Sequence, residues 1–155
     1  LYGQRDPGLA RALAQAKLTE EIARRQGMSG EARGGGGPDS AEGMKRIADG
    51  AAALVGADDG PRIAALAFEG WDTHANEGGA KGRLAQLLGG LDGALATFEQ
   101  GLKSVWKDTV VMVVTEFGRT AKVNGTVGTD HGTGTVAFLV GGAVKGGRMI
   151  VDWPG

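Results

Sequence analysis

The chain has 155 residues, with 17 lysines and arginines against 18 aspartates and glutamates and a formal net charge of -1. That length suits one domain with a sizeable core rather than two, and the scattered, balanced charge leaves no electrostatic footprint for nucleic acid or an anionic membrane. Cysteine is absent, which excludes thiolate catalysis, thiolate zinc sites and disulfides, and no apolar run approaches the roughly 20 residues of a membrane span.

Glycine contributes 30 residues with no collagen-like period, so many tight turns and close backbone approaches are expected. The chain starts at Leu1 and ends at Gly155 after a Trp-Pro turn, and both ends are expected to be cut from something longer. Residues 1–57 read as a helical lead-in, and residues 62–155 as the sheet and site-bearing part of a single domain.

Asp6-Pro7 places a cap before a proline at the first helical position, predicting a helix from Pro7 to about Arg25 that Gly27 and Gly30 close. The glycine-rich stretch 33–38 reads as a linker. Asp39-Ser40-Ala41-Glu42 resembles a capping box, and Met44, Ile47, Ala51, Leu54 and Val55 supply the buried face of the helix that follows. After the turn Asp58-Asp59-Gly60-Pro61, the run Arg62 to Phe68 predicts a short buried strand. Arg83 to Val105 carries the strongest helical periodicity, through Leu84, Leu87, Leu88, Leu91, Leu95, Phe98, Leu102 and Val105. Thr109 to Thr115 is a β-branched run without alternation, as in a strand covered on both faces. Thr135 to Val140 and Arg148 to Val151 are two further candidate strands.

This order predicts an α/β domain, with the strands at 62–68 and 109–115 parallel across a crossover helix. The last two connections are too short for such helices, so the sheet is expected to be mixed and mainly parallel, flanked by helices.

Both histidines of the chain lie beside aspartates. Asp72 and His74 follow the first predicted strand, and Glu116 follows the next, so a parallel pair would bring them to one carboxyl edge, where ligands collect in α/β sheets. Asp130 and His131 follow after a loop short enough to fold back over that edge. Oxygen and nitrogen donors without sulfur suit zinc, manganese or iron, with calcium or magnesium open if the histidines do not coordinate. The plainer alternative is two solvated or hydrogen-bonded structural histidines.

Arg119 could bind a phosphate or sulfate oxygen bidentately or pair with a carboxylate. Asn124 could be a ligand or anion donor, although Asn-Gly is first a turn signal. Gly132 to Ala137 fits a dinucleotide pattern but leads into a strand-like run instead of opening a helix. Ser29, Ser40 and Ser104 are the only serines, none in a nucleophile elbow.

Gly70-Trp71-Asp72-Thr73-His74, Thr115 to Thr120, Asn124-Gly125, Gly128 to Gly132, and Gly141-Gly142 through Gly147 resemble the successive motifs of an uncharacterised, sulfatase-like bacterial domain family. That family is similar to the alkaline phosphatase superfamily, and many of its members are exported with a twin-arginine signal. The resemblance implies an alkaline phosphatase-like α/β sandwich, here incomplete, and a periplasmic or secreted location. It also implies one or two divalent metals, zinc first among them. Asp72 and His74 match a ligand pair of those phosphatases with shorter spacing, and His131 matches their last histidine. Glu116 and Phe117 stand at a later Asp-His pair, so one histidine ligand is absent, which counts against a second metal. The superfamily's nucleophile and first aspartate have no counterpart here, so the catalytic hydroxyl is expected upstream and the fragment alone is expected to be inactive.

The expected function is therefore that of a metal-dependent hydrolase or transferase of small phosphate or sulfate esters. Asp72, His74, Glu116 and His131 are the expected ligands, Asp130 a ligand or an orienting partner, and Arg119 and Asn124 the substrate-binding groups. The alternative is a non-catalytic exported protein that keeps the fold and at most a structural metal. Substrate, metal identity and oligomeric state stay open at this level.

Overall fold

Apolar residues at three- and four-residue spacing give two segments a stripe that must be covered, and each covers the other. The computed structural model describes residues 6–25, 37 and 39–152. Its helices are α1 (Pro7–Arg25), α2 (Ala41–Val55) and α3 (Arg83–Gly101). The core is the seam between α2 and α3, where Met44, Ala48, Ala51 and Ala52 meet Leu87, Ala94, Phe98 and Leu102, none more than 9% exposed. Small residues let the two backbones come close. A Cβ on Gly90 would lie 2.9 Å from Met44 Sδ and 3.0 Å from Ala41 Cα. Phe68 and Trp71 pack on the margin of this core and so anchor the segment that carries Asp72 and His74.

Helix α2 starts at Ser40, whose Oγ accepts from the Gly43 N–H at 3.0 Å. Asp39 instead takes a hydrogen bond from Arg83 Nη2 at 2.6 Å, which ties the start of α2 to the start of α3. Helix α3 stops at Gly101, four residues short of the expected Val105, and the chain passes through a 3-10 turn, Trp106–Asp108, into the sheet region. Helix α1 leaves Leu9, Leu13 and Leu18 between 39% and 48% exposed and buries Ile22. No described helix is long and apolar enough to cross a membrane. The helix stop at Gly27 and Gly30, the linker over 33–38 apart from Gly37, and the Trp-Pro turn at 153–154 lie outside the described residues.

Four strands follow: β1 (Val111–Val113), β2 (Gly118–Val123), β3 (Thr129–Gly132) and β4 (Phe138–Val140). They form two antiparallel pairs, β1 with β4 and β2 with β3. β1 and β4 are the central parts of the runs predicted at 109–115 and 135–140. The predicted strands at 62–68 and 148–151 form no ladder, and no parallel pairing between 62–68 and β1 occurs among the described residues. A strand that is apolar on both faces is stable only between neighbours and under a covering layer. Here Ile63 is 88%, Met112 64% and Ile150 91% exposed, so that cover is not supplied by the described residues.

Candidate metal centre

The β2–β3 hairpin is the platform of the site, and its register sets Arg119 opposite His131. The turn that joins the strands is built by Asn124. Its Oδ1 accepts from the backbone N–H groups of Thr126 and Gly128, both at 3.0 Å, and lies 2.9 Å from Thr126 Oγ1. These bonds close an Asx-type turn. Val127 is held at φ 61°, a left-handed conformation that β-branched residues seldom adopt.

The segment carrying Asp72 and His74 lies along this hairpin. The Thr129 N–H donates to the Thr73 carbonyl at 3.2 Å, and Asn76 N–H and Glu77 N–H donate to the carbonyls of Thr126 and Val127. The His74 carbonyl accepts from Asn124 Nδ2 at 2.9 Å and from Thr126 Oγ1 at 2.7 Å. Gly128 is where the two backbones touch. A Cβ there would lie 2.5 Å from the Thr73 carbonyl oxygen and closer still to the His74 carbonyl, so only glycine permits the approach.

This docking gathers Asp72, His74 and His131 into a group whose ligand atoms all lie within 4.8 Å of one another. His131 Nε2 is 2.9 Å and His74 Nε2 3.0 Å from the same oxygen, Asp72 Oδ1. The opposite nitrogen of His74, Nδ1, faces Asp130 Oδ1 at 3.4 Å, and Asn124 Nδ2 holds that carboxylate at 2.9 Å. His74 thus lies between two carboxylates, one on each ring nitrogen. The two imidazoles are 4.9 Å apart, and the Phe117 ring stacks on His131 with an interplanar angle of 19°. About half of the Asp72, His74 and His131 side-chain surfaces is open to solvent.

Arg119 flanks the group. Its Nη1 donates to Asp72 Oδ1, its Nε to Thr129 Oγ1 at 3.0 Å, and its Nη2 to the Thr129 carbonyl. Thr129 Oγ1 in turn donates to Glu77 Oε2 at 2.9 Å. With neutral imidazoles, the carboxylates of Asp72, Asp130 and Glu77 outnumber the single guanidinium by two charges, a field that favours a divalent cation.

The hydrogen bond from His131 is the main influence holding Asp72 below the ordinary carboxylate range. Partial desolvation opposes it, while the Arg119 bond and the charges of His74 and His131 add to it. Asp130 is lowered first by the Asn124 bond and then by the bond to His74, again against some desolvation. Both carboxylates are therefore ionised and ready as acceptors at neutral pH.

Four of the sequence-predicted residues lie close together, Asp130 and His131 on β3 of the hairpin and Asp72 and His74 on the segment beside it, with no parallel strand edge involved. Glu116 lies outside the group of clustered ligand atoms. Asp130 touches the far side of His74, the place of an orienting partner. Both amide hydrogens of Asn124 are taken up by His74 and Asp130, so it shapes the site from behind. Thr129 and Glu77 were not singled out from the sequence. Thr129 sits inside the Gly128 to Gly132 motif, whereas nothing local marks Glu77, whose role depends on a contact 52 residues away.

No curated protein and no solved structure gives a significant match to the chain. A family model does match, over residues 7–155, and the chain belongs to the family that it defines, described as Protein of unknown function (DUF1501).

Proposed function

We propose that Asp72, His74 and His131 hold a divalent metal ion, zinc in the first place, in a sulfatase-like hydrolase or transferase of phosphate or sulfate esters. The observation that carries this reading is the convergence of two imidazole Nε2 atoms on one carboxylate oxygen at 2.9 and 3.0 Å. Bonds of about 2.0 Å in a tetrahedron put ligand atoms about 3.3 Å apart. The two spacings to Asp72 are close to that, the ligand atoms of the whole group lie within 4.8 Å of one another and would draw together around an ion, and the group is open to solvent on one side. Asp130 on His74 Nδ1 is the carboxylate partner that metal-bound histidines use to fix tautomer and orientation.

A divalent ion in that place supplies Lewis acidity toward an ester oxygen and an acidified water or hydroxyl. The chain's own residues do the rest: Asp72, His74 and His131 position, Asp130 and Asn124 orient, and Arg119 offers a cationic edge to the anionic group. The larger alkaline phosphatase-like α/β sheet, and export, belong to the same proposal. The exposed apolar side chains of Ile63, Met112, Leu139 and Ile150 suit strands that further sheet neighbours cover.

A second reading, a non-catalytic protein with a structural ion, is favoured by Phe117. It presents an aromatic face to His131 where the resemblance leads one to expect another imidazole. Metal analysis of the chain, followed by turnover of aryl phosphate and aryl sulfate by the longest available form with and without His131→Ala, separates these readings. One equivalent of metal lost in His131→Ala supports the centre. Histidine-dependent turnover supports the enzyme, and metal without turnover leaves the structural ion. A chain that binds no metal refutes both.

A further inference from the structure

Asp72 Oδ1 accepts from Arg119 Nη1 and is paired with His131 Nε2, and His74 Nε2 lies 3.0 Å from the same oxygen. A carboxylate has about four lone-pair directions over its two oxygens. A divalent ion on Oδ1 would draw charge from that oxygen and repel the guanidinium beside it, so the Arg119 bond weakens as the ion binds. Arg119 is also held by Thr129 through Nε and Nη2, so losing Asp72 would not release the side chain from the site. Its Nη1 edge alone would be left without an acceptor, beside the three metal-binding side chains.

We propose that Arg119 is an internal counter-cation that competes with the metal for Asp72, and that metal binding frees its Nη1 to take a tetrahedral oxyanion. Metal and oxyanion then bind with positive coupling through the shared Asp72 oxygen. This inference rests on the metal-centre reading above and adds to it an order of binding. Before metal arrives, Asp72, Asp130 and Glu77 repel an anion and Arg119 is occupied. Once Asp72, His74 and His131 face a divalent ion, the excess negative charge is cancelled and a charged donor is exposed. Coupling is reciprocal, so the oxyanion must tighten metal binding by the factor by which metal tightens the oxyanion.

Equilibrium dialysis of the chain with zinc or manganese, at constant ionic strength in chloride, tests this with added sulfate in one arm and inorganic phosphate in another. Metal–anion complexation is subtracted from protein-free controls. Wild-type protein should bind metal about 10-fold more tightly at saturating oxyanion, within the usual range of coupling, and should bind neither anion without metal. Arg119→Gln should bind metal more tightly than wild type in chloride alone and should be indifferent to both anions. A merely structural Arg119 predicts the reverse, a weaker metal site in the variant. Wild-type metal affinity unmoved by either anion, or anion binding that needs no metal, overturns the coupling and leaves the metal centre standing. No metal bound under any condition overturns both, and the wild-type arms decide the matter even if the variant does not fold.

Discussion

Gly128→Ala is the sharpest perturbation of the way the site is assembled, because it replaces no proposed ligand side chain and acts only on the backbone contact with Thr73 and His74. The added Cβ would lie 2.5 Å from the Thr73 carbonyl oxygen, and ordinary contact begins at 3.4 Å, so the hairpin and the 73–74 backbone must part by about 1 Å. That shift strains the Thr129 N–H bond to Thr73, already at 3.2 Å, and moves His131 and Asp130 away from His74 and Asp72. Overpacking of this kind costs about 1–3 kcal/mol of stability. Displacing the partners that orient metal ligands costs about 10–100-fold in metal affinity. Urea unfolding reads the first effect and metal dialysis the second. A Gly128→Ala chain that binds metal as tightly as wild type would refute the idea that this contact sets the ligand spacing. His131→Ala, which removes a proposed ligand side chain and adds no atom at the Gly128 contact, provides the comparison.

Two further outcomes follow from the polar network. Asn124→Ala removes the donor that chiefly lowers Asp130 and the acceptor that closes the turn, so it should destabilise the chain by about 1–3 kcal/mol. It should also return the Asp130 carboxyl toward the ordinary range, read by carbon-detected NMR titration, and an unmoved Asp130 would contradict the role given to Asn124. Asp72 has a folded pKa below its unfolded one, so between the two values the unfolded chain holds more protons and stability rises with pH. Its contribution is present above the ordinary carboxylate range and is lost as pH falls through the lowered value. Unfolding midpoints followed from about pH 6 to about pH 2 should fall less steeply in Asp72→Asn than in wild type, and equal slopes would count against the network.

The helical half of the fold is legible in the sequence because its signals are local. Apolar residues at helical spacing place both helices, and Met44, Ala51, Leu87, Leu91, Phe98 and Leu102 of the expected stripes are buried, whereas Ala48, Ala52 and Ala94 complete the seam in place of the bulkier Ile47, Leu54 and Leu88; Ser40 supplies a cap, and α3 ends at Gly101 rather than at Val105. The sheet half is less legible. The runs at 62–68 and 109–115 announce strands apolar on both faces, but pairing depends on which neighbours reach their edges, and only the centre of the second run finds one, β4. The β2–β3 hairpin carries no such signal. Gly118 to Val123 lacks an apolar run, and its stability comes from the Asn124 turn and from contact with residues 73–77.

The candidate site divides in the same way. Composition alone narrows the ligand chemistry to oxygen and nitrogen donors, and two Asp-His pairs in a chain with two histidines mark the residues. Their roles are decided by the tertiary structure, because a role depends on distance and direction rather than on residue type. His74 and His131 share Asp72 because the Gly128 contact sets the two backbones together. Asp130 meets Nδ1 of His74 and not Nε2, and Glu116, equally acidic, lies outside the clustered group. Arg119 is the clearest case: its charge is written in the sequence, but only the fold places that charge on the one oxygen that a metal ion would also need.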